Sequence, residues 1–251
     1  MNKTIYSLDP QNRLLVGATV GIVGDYYERA TKLVNAGIDI LCIDVANGFN
    51  QTVYDVVQKL KTLNVEIMVG NVCNPEGFEF LCNSGADCIR VGIGNGSICS
   101  TRLVTGVGSG QFTALMQCRE IARKYNVGMI SDGGHLGKDG NIAKAFVVGA
   151  NAMILGKTLA ATDETPGRII NRNNRRVKYY RGMASAMAMA SKAELSNQEY
   201  NDNQNPEGVD MEIEIKGPVK NIIKRIESSM KSTMSYIGCI NTDALRNIEN
   251  E

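Results

Sequence analysis

Short apolar stretches alternate with longer amphipathic stretches along residues 13–160, and this rhythm constrains the fold more than any other feature of the sequence. The apolar stretches are nearly continuous in Val, Ile, Leu and Met, which is typical of strands buried on both faces. One strand–helix repeat takes about 30 residues. The pattern predicts an α/β fold of parallel strands covered by helices. The predicted strands are residues 14–20, 38–44, 65–69, 87–91, 127–131 and 152–155, and the helices are residues 25–36, 51–63, 75–83, 111–125 and 141–148.

Polar or glycine-rich clusters follow the predicted strands. The carboxyl ends of parallel strands meet at one edge, where barrels and open sheets bind ligands, so we expect the clusters to form one site. The richest cluster follows the fourth strand, where glycines precede Cys99 and Arg102, although an ordinary turn with a half-buried cysteine fits its composition equally well. The clusters are residues 44–48, 70–71, 92–101, 132–134 and 156–157.

The strand–helix rhythm ends after residue 160. Residues 168–180 predict a hairpin, because the central Asn173 and Asn174 favour a tight turn. Residues 182–192 predict a helix, and we interpret its methionines as core residues: Met183, Met187 and Met189. The chain is expected to form one domain, with βα units in 13–160, the hairpin, a polar flap in 193–210, and a strand (211–215) and helices in 211–251. The composition of the polar stretch fits a passive disordered loop equally well.

Composition excludes several classes of protein. A formal net charge of +1 does not indicate the excess of positive charge that binds nucleic acid or an anionic membrane. No apolar run approaches the ~20 residues of a membrane span. The seven cysteines form no CxxC pair, which argues against zinc and fits free thiols in a reducing, cytoplasmic compartment. The lone histidine, His135, leaves no His-based triad. We interpret it as a solvated loop residue, with contact to a ligand as the alternative, since it follows Asp132-Gly-Gly.

Several motifs occur together in one order along the chain, and with them the sequence resembles the IMP dehydrogenase / GMP reductase family over nearly its full length. The resemblance implies a (β/α)8 TIM-barrel fold, a homotetramer, a purine nucleotide (GMP or IMP) and a nicotinamide cofactor (NADPH or NAD). The motifs are Asp44–Gly48, Gly70–Val72, Val91–Thr101, Gly106–Gly108, Ser131–Gly134, Leu155–Gly156, Tyr180–Met183 and Pro206–Gly208.

The resemblance also implies roles for individual residues. Cys99 matches the nucleophile that attacks purine C2, a task suited to a thiolate. Thr101 and Glu207 match a pair that moves protons for the group entering or leaving at C2. The backbone carbonyls of Gly94, Gly96 and Cys99 match a site for a monovalent cation such as K⁺, for which carbonyl oxygens are suitable ligands.

Ligand-contacting residues follow from the same resemblance. Asp132 is expected to hold the ribose hydroxyls, and the amides of the glycines near it to cradle the phosphate. The expected substrate-binding residues are Ser97, Asp132, Gly133, Gly134, Gly156, Lys157, Tyr180, Gly182 and Met183. The expected cofactor-binding residues are Asp44, Asn71, Gly92 and Ser185.

The motifs favour the reductase branch of the family over the dehydrogenase branch. The stretches 44–48, 99–108 and 228–238 are similar to the reductase, and Glu199-Tyr200 stands where the dehydrogenase flap carries Arg-Tyr. The stretches 12–21 and 159–167 are more similar to the dehydrogenase.

The chain departs from the family pattern in strand number, because six strands are predicted where a closed barrel of this type has about eight. The first two βα units of the family barrel have no counterpart in this sequence. Three explanations stay open: a part of a longer product, a second chain that supplies the missing units, or a relative that binds nucleotide or subunits without catalysis. Lys157 also replaces the small residue expected in the phosphate loop.

Overall fold

Six parallel strands and their helices form the main body of the chain in a computed structural model, which describes residues 8–195 and 205–248. The strands and helices of this body are β1 (Gly17–Val20), α1 (Tyr26–Asn35), β2 (Ile40–Asp44), α2 (Gln51–Lys61), β3 (Glu66–Val72), α3 (Pro75–Asn83), β4 (Cys88–Val91), α4 (Thr101–Thr105), α5 (Gln111–Tyr125), β5 (Gly128–Asp132), α6 (Asp139–Val147), β6 (Ala152–Ile154) and α7 (Gly156–Ala160). The remaining elements are β7 (Ile170–Arg172), β8 (Arg175–Arg181), α8 (Ala186–Leu195), β9 (Asp210–Glu214), α9 (Val219–Ile237) and α10 (Thr242–Arg246).

The sheet runs in sequence order from β1 to β6, and all five pairings are parallel. It curls into part of a barrel and leaves β1 and β6 as its edges among the described residues. The predicted α/β fold with six parallel strands, of a truncated TIM-barrel type, is therefore confirmed. All six carboxyl ends lie at one edge, which brings the polar clusters together.

The helices pack their apolar faces onto this sheet as their spacing predicts. On α2, the residues Val53, Val56, Val57 and Leu60 are buried, and the helix begins where the side chain of Asn50 accepts a hydrogen bond from the amide of Val53. Asn74 begins α3 in the same way, one residue before Pro75. Such caps satisfy amides that have no partner within the helix.

The first strand corrects one expectation from the sequence. Residues 14–20 were predicted to be a buried strand, but β1 begins only at Gly17, and Leu14, Leu15 and Val16 are exposed. Among the described residues, β1 pairs with β2 alone. The second edge of β1 is therefore unpaired among the described residues, and residues 14–16 before it are not buried as a continuous apolar stretch predicts.

Two short helices were not predicted; one lies in the loop after β4 and the other follows β6. They are α4 and α7, each of five residues, which is too short to develop an amphipathic period. Strand β3 is longer than predicted, because pairing with β4 continues past Gly70 to Val72 with a shift in register.

The predicted hairpin is confirmed, since β7 and β8 pair in antiparallel fashion across a turn in which Asn173 and Asn174 have φ of 49° and 60°. Strand β9 adds to β8 to complete a three-stranded sheet. The buried ammonium of Lys178 donates to the carbonyl of Thr162 at 2.8 Å, and so joins this sheet to the loop after α7. Its other partners are carbonyls as well, which satisfies a charge that burial alone would disfavour.

The methionines after β8 do not form core as interpreted. Met183 and Met187 are exposed, and Met189 on α8 is half-buried. Of the predicted flap, residues 193–195 belong to α8 and residues 196–204, which include Glu199-Tyr200, lie outside the described residues.

The long helix α9 and the short α10 pack against α6 around a small apolar cluster that includes Ile142, Met230 and Leu245. This packing places α9 beside the carboxyl edge of the sheet. In the part of the chain that the structure describes, no helix has the length and apolarity needed to span a membrane.

The close approach of β3 to β4 gives a test of the fold. A Cβ atom added at Gly70 would lie 2.6 Å from the Cβ and 2.8 Å from the carbonyl oxygen of Arg90. Because backbone cannot yield as a flexible side chain does, we expect Gly70→Ala to lower the free energy of unfolding by about 1–3 kcal/mol. Urea denaturation measures it. The matched control is Gly21→Ala, where a Cβ meets no atom within 4 Å; equal stability of both variants would contradict the packing.

Candidate functional site

A cavity of about 850 Å³ opens at the carboxyl edge of the sheet, between the loops after β4, β5 and β6 and the sheet of β8 and β9. Eight of the nine predicted substrate-binding residues line it, and Gly182 does not. These eight are Ser97, Asp132, Gly133, Gly134, Gly156, Lys157, Tyr180 and Met183. Loops far apart in sequence thus converge on one concave surface, as expected of a ligand site.

Glycine relieves close contacts at two points of this lining, one with backbone and one with a side chain. A Cβ at Gly133, where φ is 72°, would lie 3.0 Å from the backbone of Asn95. A Cβ at Gly156 would lie 2.5 Å from the hydroxyl of Tyr180. The absence of side chains at these positions leaves backbone amides accessible to a ligand.

Tyr180 reaches the cavity from β8 and is half-buried. Burial raises the pKa of its phenol, the carboxylate of Asp132 raises it further, and a hydrogen bond with Ser97 opposes both effects. The hydroxyl therefore stays protonated at neutral pH, where it serves as a hydrogen-bond donor.

The loop after β4 folds tightly around Arg102. This side chain lies over Gly94 and Gly108, whose φ angles are 79° and 134°, and its guanidinium donates to the side chain of Asn95 at 3.1 Å. Two residues after Ser97 the same loop presents Cys99, whose Sγ lies 3.2 Å from Oγ1 of Thr101. A half-buried thiol thus has a hydroxyl partner at the start of α4.

The segment around Gly208 holds this cysteine loop from the other side. The carbonyl of Glu207 accepts from the amide of Ser100 at 2.8 Å, and the amide of Val209 donates to the carbonyl of Ile98 at 2.9 Å. The amide of Glu207 in turn donates to Ala184 at 3.0 Å. Glu207 is therefore brought to the cysteine loop by its own backbone, although 106 residues separate it from Thr101.

Five of the other six cysteines are poor candidates for a nucleophile. Burial raises the pKa of Cys82 and Cys118 to about 12 and that of Cys88 to about 11. Burial also raises the pKa of Cys42 and Cys73. These groups remain thiols at neutral pH, and a thiol is a weak nucleophile compared with a thiolate.

A buried arginine that the sequence did not single out joins two of the predicted site residues. The guanidinium of Arg90 lies 2.9 Å from the carboxylate of Asp44 and 2.7 Å from that of Asp132. Burial disfavours its charge, but the two carboxylates outweigh burial and raise the pKa of Arg90. Asn71 also donates to Asp132 at 2.7 Å and to the carbonyl of Gly92 at 2.6 Å.

This network leaves polar atoms that can take a ligand. Nε of Arg90 and Oδ1 of Asn71 are buried without a hydrogen-bond partner among the described residues. The carboxylate of Asp44 is 43% exposed, so it can accept from a ligand while it pairs with Arg90. Three of the predicted cofactor-binding residues, Asp44, Asn71 and Gly92, therefore cluster here, and their polar character fits a ribose or carboxamide group.

The fourth predicted cofactor residue lies elsewhere. Ser185 is fully buried, and its hydroxyl donates to the carboxylate of Asp210 at 2.6 Å. It also accepts from the amide of Ala188 at the start of α8. A ligand would have to break these bonds to reach the hydroxyl of Ser185.

The predicted cation site rests on backbone carbonyls. Among the residues that the structure describes, no donor is paired with the carbonyls of Gly94 and Cys99, while that of Gly96 accepts from the amide of Cys99 at 3.1 Å. Unpaired carbonyls fit a hard monovalent cation, and the described residues contain no cluster of three or more His, Cys, Asp or Glu that would favour a divalent metal.

Gln111, at the start of α5, is a second residue that the sequence did not indicate. Its amide nitrogen donates to the carbonyl of Val91 at 2.7 Å and contacts the hydroxyl of Ser131, and its oxygen accepts from Asn95 at 2.8 Å. It therefore fixes the ends of β4 and β5 to the cysteine loop. A glutamine at a helix start carries no distinctive sequence signal.

His135 is buried rather than solvated, because its ring turns inward from the loop after β5 and lines the cavity. The expectation that His135 is a solvated loop residue was therefore wrong.

Comparison with known proteins agrees with this geometry. The family model for the IMP dehydrogenase / GMP reductase domain matches residues 3–250. The GMP reductase of Leishmania donovani is 41% identical over 240 residues, which cover 92% of this chain and 48% of that protein. The IMP dehydrogenase of Bacillus subtilis is 42% identical over 243 residues, 96% of this chain and 50% of that protein.

A solved structure is similar over the same extent. A cysteine-to-alanine variant of GMP reductase from Trypanosoma brucei, crystallised in complex with guanosine 5′-monophosphate, has a TM-score of 0.89 and 41% identity, covering 95% of this chain and 50% of that chain. The chain thus spans about half the length of the curated relatives it matches. With a matching family model, relatives above 40% identity and a shared fold, this chain belongs to the IMP dehydrogenase / GMP reductase family of purine nucleotide oxidoreductases.

Proposed function

We propose that this chain carries the catalytic site of a GMP reductase, which converts GMP and NADPH to IMP, ammonia and NADP⁺. The observation that carries the proposal is the contact of 3.2 Å between Sγ of Cys99 and Oγ1 of Thr101, on the loop that also lines the 850 Å³ cavity. A nucleophile beside a proton-handling hydroxyl, on a loop whose residues 95–97 line a cavity large enough for a nucleotide, suits covalent catalysis on a purine.

The nucleotide is proposed to bind with its phosphate toward the loops after β5 and β6. The amides of Gly133 and Gly156 are available there, whereas that of Gly134 already donates to the carbonyl of Asn95 at 2.9 Å. Lys157 adds a positive charge at the same end of the cavity. Asp132 would accept from the ribose hydroxyls while Arg90 and Asn71 hold its carboxylate in place. The phenol of Tyr180 would donate to the phosphate.

Cys99 is the proposed nucleophile. Its thiolate adds to C2 of GMP, the C2–N bond to the amino group breaks, and ammonia leaves after taking a proton. The purine is then bonded to sulfur at C2. NADPH, which Asp44, Asn71 and Gly92 would hold, would supply the hydride that C2 needs. The C–S bond to Cys99 would then break, which returns the thiolate and releases IMP. Covalent attachment divides a difficult substitution into two easier steps.

Thr101 and Glu207 are the proposed proton carriers for the departing ammonia. The backbone of Glu207 is hydrogen-bonded to Ser100, one residue before Thr101, and its carboxylate is proposed to reach the hydroxyl of Thr101. A carboxylate beside a hydroxyl can pass a proton to an amine as it leaves.

The remaining ligands and partners are proposed in the same way. NADPH, or NAD for the dehydrogenase reaction, would lie against Asp44, Asn71 and Gly92. Ser185 and Gly182 would keep the turn before α8 in shape. The carbonyls of Gly94, Gly96 and Cys99 would hold K⁺. We propose a homo-oligomer, a tetramer as in the family, located in the cytoplasm.

IMP dehydrogenase activity, from IMP, NAD⁺ and water to XMP and NADH, is the second candidate. Curated relatives of both names match at nearly the same identity, 41% and 42%. The stretch 159–167 is also more similar to the dehydrogenase. Because the chain spans about half of these relatives, a third candidate is nucleotide binding without turnover.

The branch is tested with the purified chain by absorbance at 340 nm. We expect NADPH to be oxidised in the presence of GMP, with IMP and ammonia as products, and no NADH from IMP and NAD⁺. The opposite pattern would assign the dehydrogenase reaction. If GMP binds in calorimetry but neither substrate pair is turned over, with or without K⁺, the result would favour nucleotide binding without catalysis.

The nucleophile is tested by substitution. Cys99→Ala removes the sulfur that bonds to the purine, so we expect turnover to be lost while GMP still binds. In wild type, a 6-chloropurine nucleotide should add one nucleotide mass to the tryptic peptide that contains Cys99. The matched control is Cys239→Ala, since Cys239 lies between α9 and α10, away from the cavity. Labelling that survives Cys99→Ala would refute the assignment.

The proton carriers are tested by isosteric changes. Glu207→Gln and Thr101→Val keep size but remove proton transfer, so we expect kcat to fall by about 10²- to 10⁴-fold with little change in KM. Steady-state kinetics measures both constants, and the exposed Glu66→Gln, at the start of β3 and outside the cavity lining, serves as a charge-matched control. A rise in KM at constant kcat would assign a binding role instead.

A further inference from the structure

His135 occupies a junction between the two loops proposed to hold the phosphate. It follows Gly133 and Gly134 after β5, and its buried ring reaches Thr158 on α7, after β6. The main chain between His135 and α6 turns through Leu136 and Gly137, which have φ of 54° and 72°. A left-handed leucine is strained, so this turn needs contacts that hold it.

The contacts of His135 supply that restraint. Its Nδ1 accepts a hydrogen bond from the amide of Gly137 at 2.9 Å. Its carbonyl accepts from the amide of Lys138 at 2.9 Å and from the side chain of Asn141 at 3.1 Å. The other ring nitrogen, Nε2, lies 3.2 Å from Oγ1 of Thr158.

The position of the ring proton follows from these contacts. A backbone amide can only donate, so Nδ1 of His135 carries no proton, and the neutral ring has its proton on Nε2. Nε2 then donates to the hydroxyl oxygen of Thr158, and the hydroxyl hydrogen of Thr158 is left free to donate. Both residues line the cavity beside Lys157.

We propose that neutral His135 is a positioning residue that clamps the loop after β5 to α7 and orients the hydroxyl of Thr158 toward the phosphate of the nucleotide. This inference rests on the proposed function, because it assigns the phosphate to this end of the cavity. The ligand class is a nucleoside monophosphate, and the base and ribose lie beyond the reach of the clamp.

The charges around His135 decide how the clamp responds to pH. Burial lowers the pKa of His135, Asp139 on α6 opposes this, and Arg225 on α9 adds to it. Arg225 is itself paired with Asp139 at 2.8 Å. Lys138 and Lys157, on the adjoining loop and on α7, add positive charge. The neutral form that the Gly137 contact requires is therefore the form present at neutral pH.

Two substitutions separate the two ring contacts. His135→Asn keeps an acceptor near the Nδ1 position but loses the donor to Thr158, whereas His135→Gln keeps a donor near the Nε2 position but loses the acceptor for Gly137. We expect each to weaken GMP binding in calorimetry about 2- to 10-fold, the equivalent of one hydrogen bond. Binding of guanosine, which has no phosphate, should be unchanged. Equal losses for GMP and guanosine, or no loss for either ligand, would overturn the proposal.

A double-mutant cycle identifies the partner. If His135 acts through Thr158, Thr158→Val and His135→Asn together should weaken GMP binding no more than the larger single effect. Additive effects would overturn the proposal. Circular dichroism and thermal unfolding of each variant verify the fold, and Thr158→Ser, which keeps the hydroxyl, should retain the affinity of wild type.

The ring itself gives a readout that needs no nucleotide. Because the chain has a single histidine, ¹⁵N-histidine labelling yields one pair of ring signals. We expect them to report a neutral ring with an unprotonated Nδ1 at pH 7.5, and Thr158→Val to shift the Nε2 signal. A proton on Nδ1 would refute the clamp. If wild type binds neither GMP nor inorganic phosphate, the proposed function fails, and these spectra still decide the clamp.

Stability against pH gives an independent test. The unfolded chain binds a proton on His135 near pH 6.5, whereas the folded chain resists it until a lower pH. Stability from this residue is therefore complete above pH 6.5 and falls as the pH drops through that value toward the folded pKa. Urea denaturation at pH 7.5 and 5.5 should show a smaller loss for His135→Gln than for wild type; equal losses would overturn the buried neutral ring.

Discussion

The pairing of buried Arg90 with two carboxylates is the constraint on which the site depends. A charge of this kind is costly inside a protein unless partners satisfy it, and removing one partner of such a pair is strongly destabilising. Arg90 meets Asp44 at 2.9 Å and Asp132 at 2.7 Å, so it fixes the ends of β2 and β5 relative to β4. The proposed cofactor side and ribose side therefore share one guanidinium, and neither can shift alone.

Close backbone contacts also hold the residues of the site in place. Gly70 allows β3 to approach Arg90, and the segment around Gly208 closes on the cysteine loop through hydrogen bonds to Ile98 and Ser100. The result is a loop in which Cys99 and Thr101 have fixed partners, next to a cavity lined by glycines. Preorganisation of this kind reduces the reorganisation that a reaction would otherwise require.

Much of the fold was predictable because its signals are local. The apolar spacing of α2, the Asn-Asn turn of the hairpin and the alternation of strands with helices each depend on residues close in sequence. The expectations that were wrong concern exposure: Leu14 and Leu15, Met183, and His135. The exposure of these side chains depends on which other elements pack over them. The apolar character of a stretch, or a glycine pair beside a residue, does not say which elements will pack there.

The sequence by itself determined the family, the six parallel strands and the residue types at the end of each strand, since periodicity and short motifs are written in neighbouring positions. Only the tertiary structure decided which of those residues meet. Arg90 lies 42 residues from Asp132, and His135 lies 23 residues from Thr158. Such contacts arise because parallel strands bring their carboxyl ends to one edge, where the curl of the sheet, a property of no single segment, sets the distances between them.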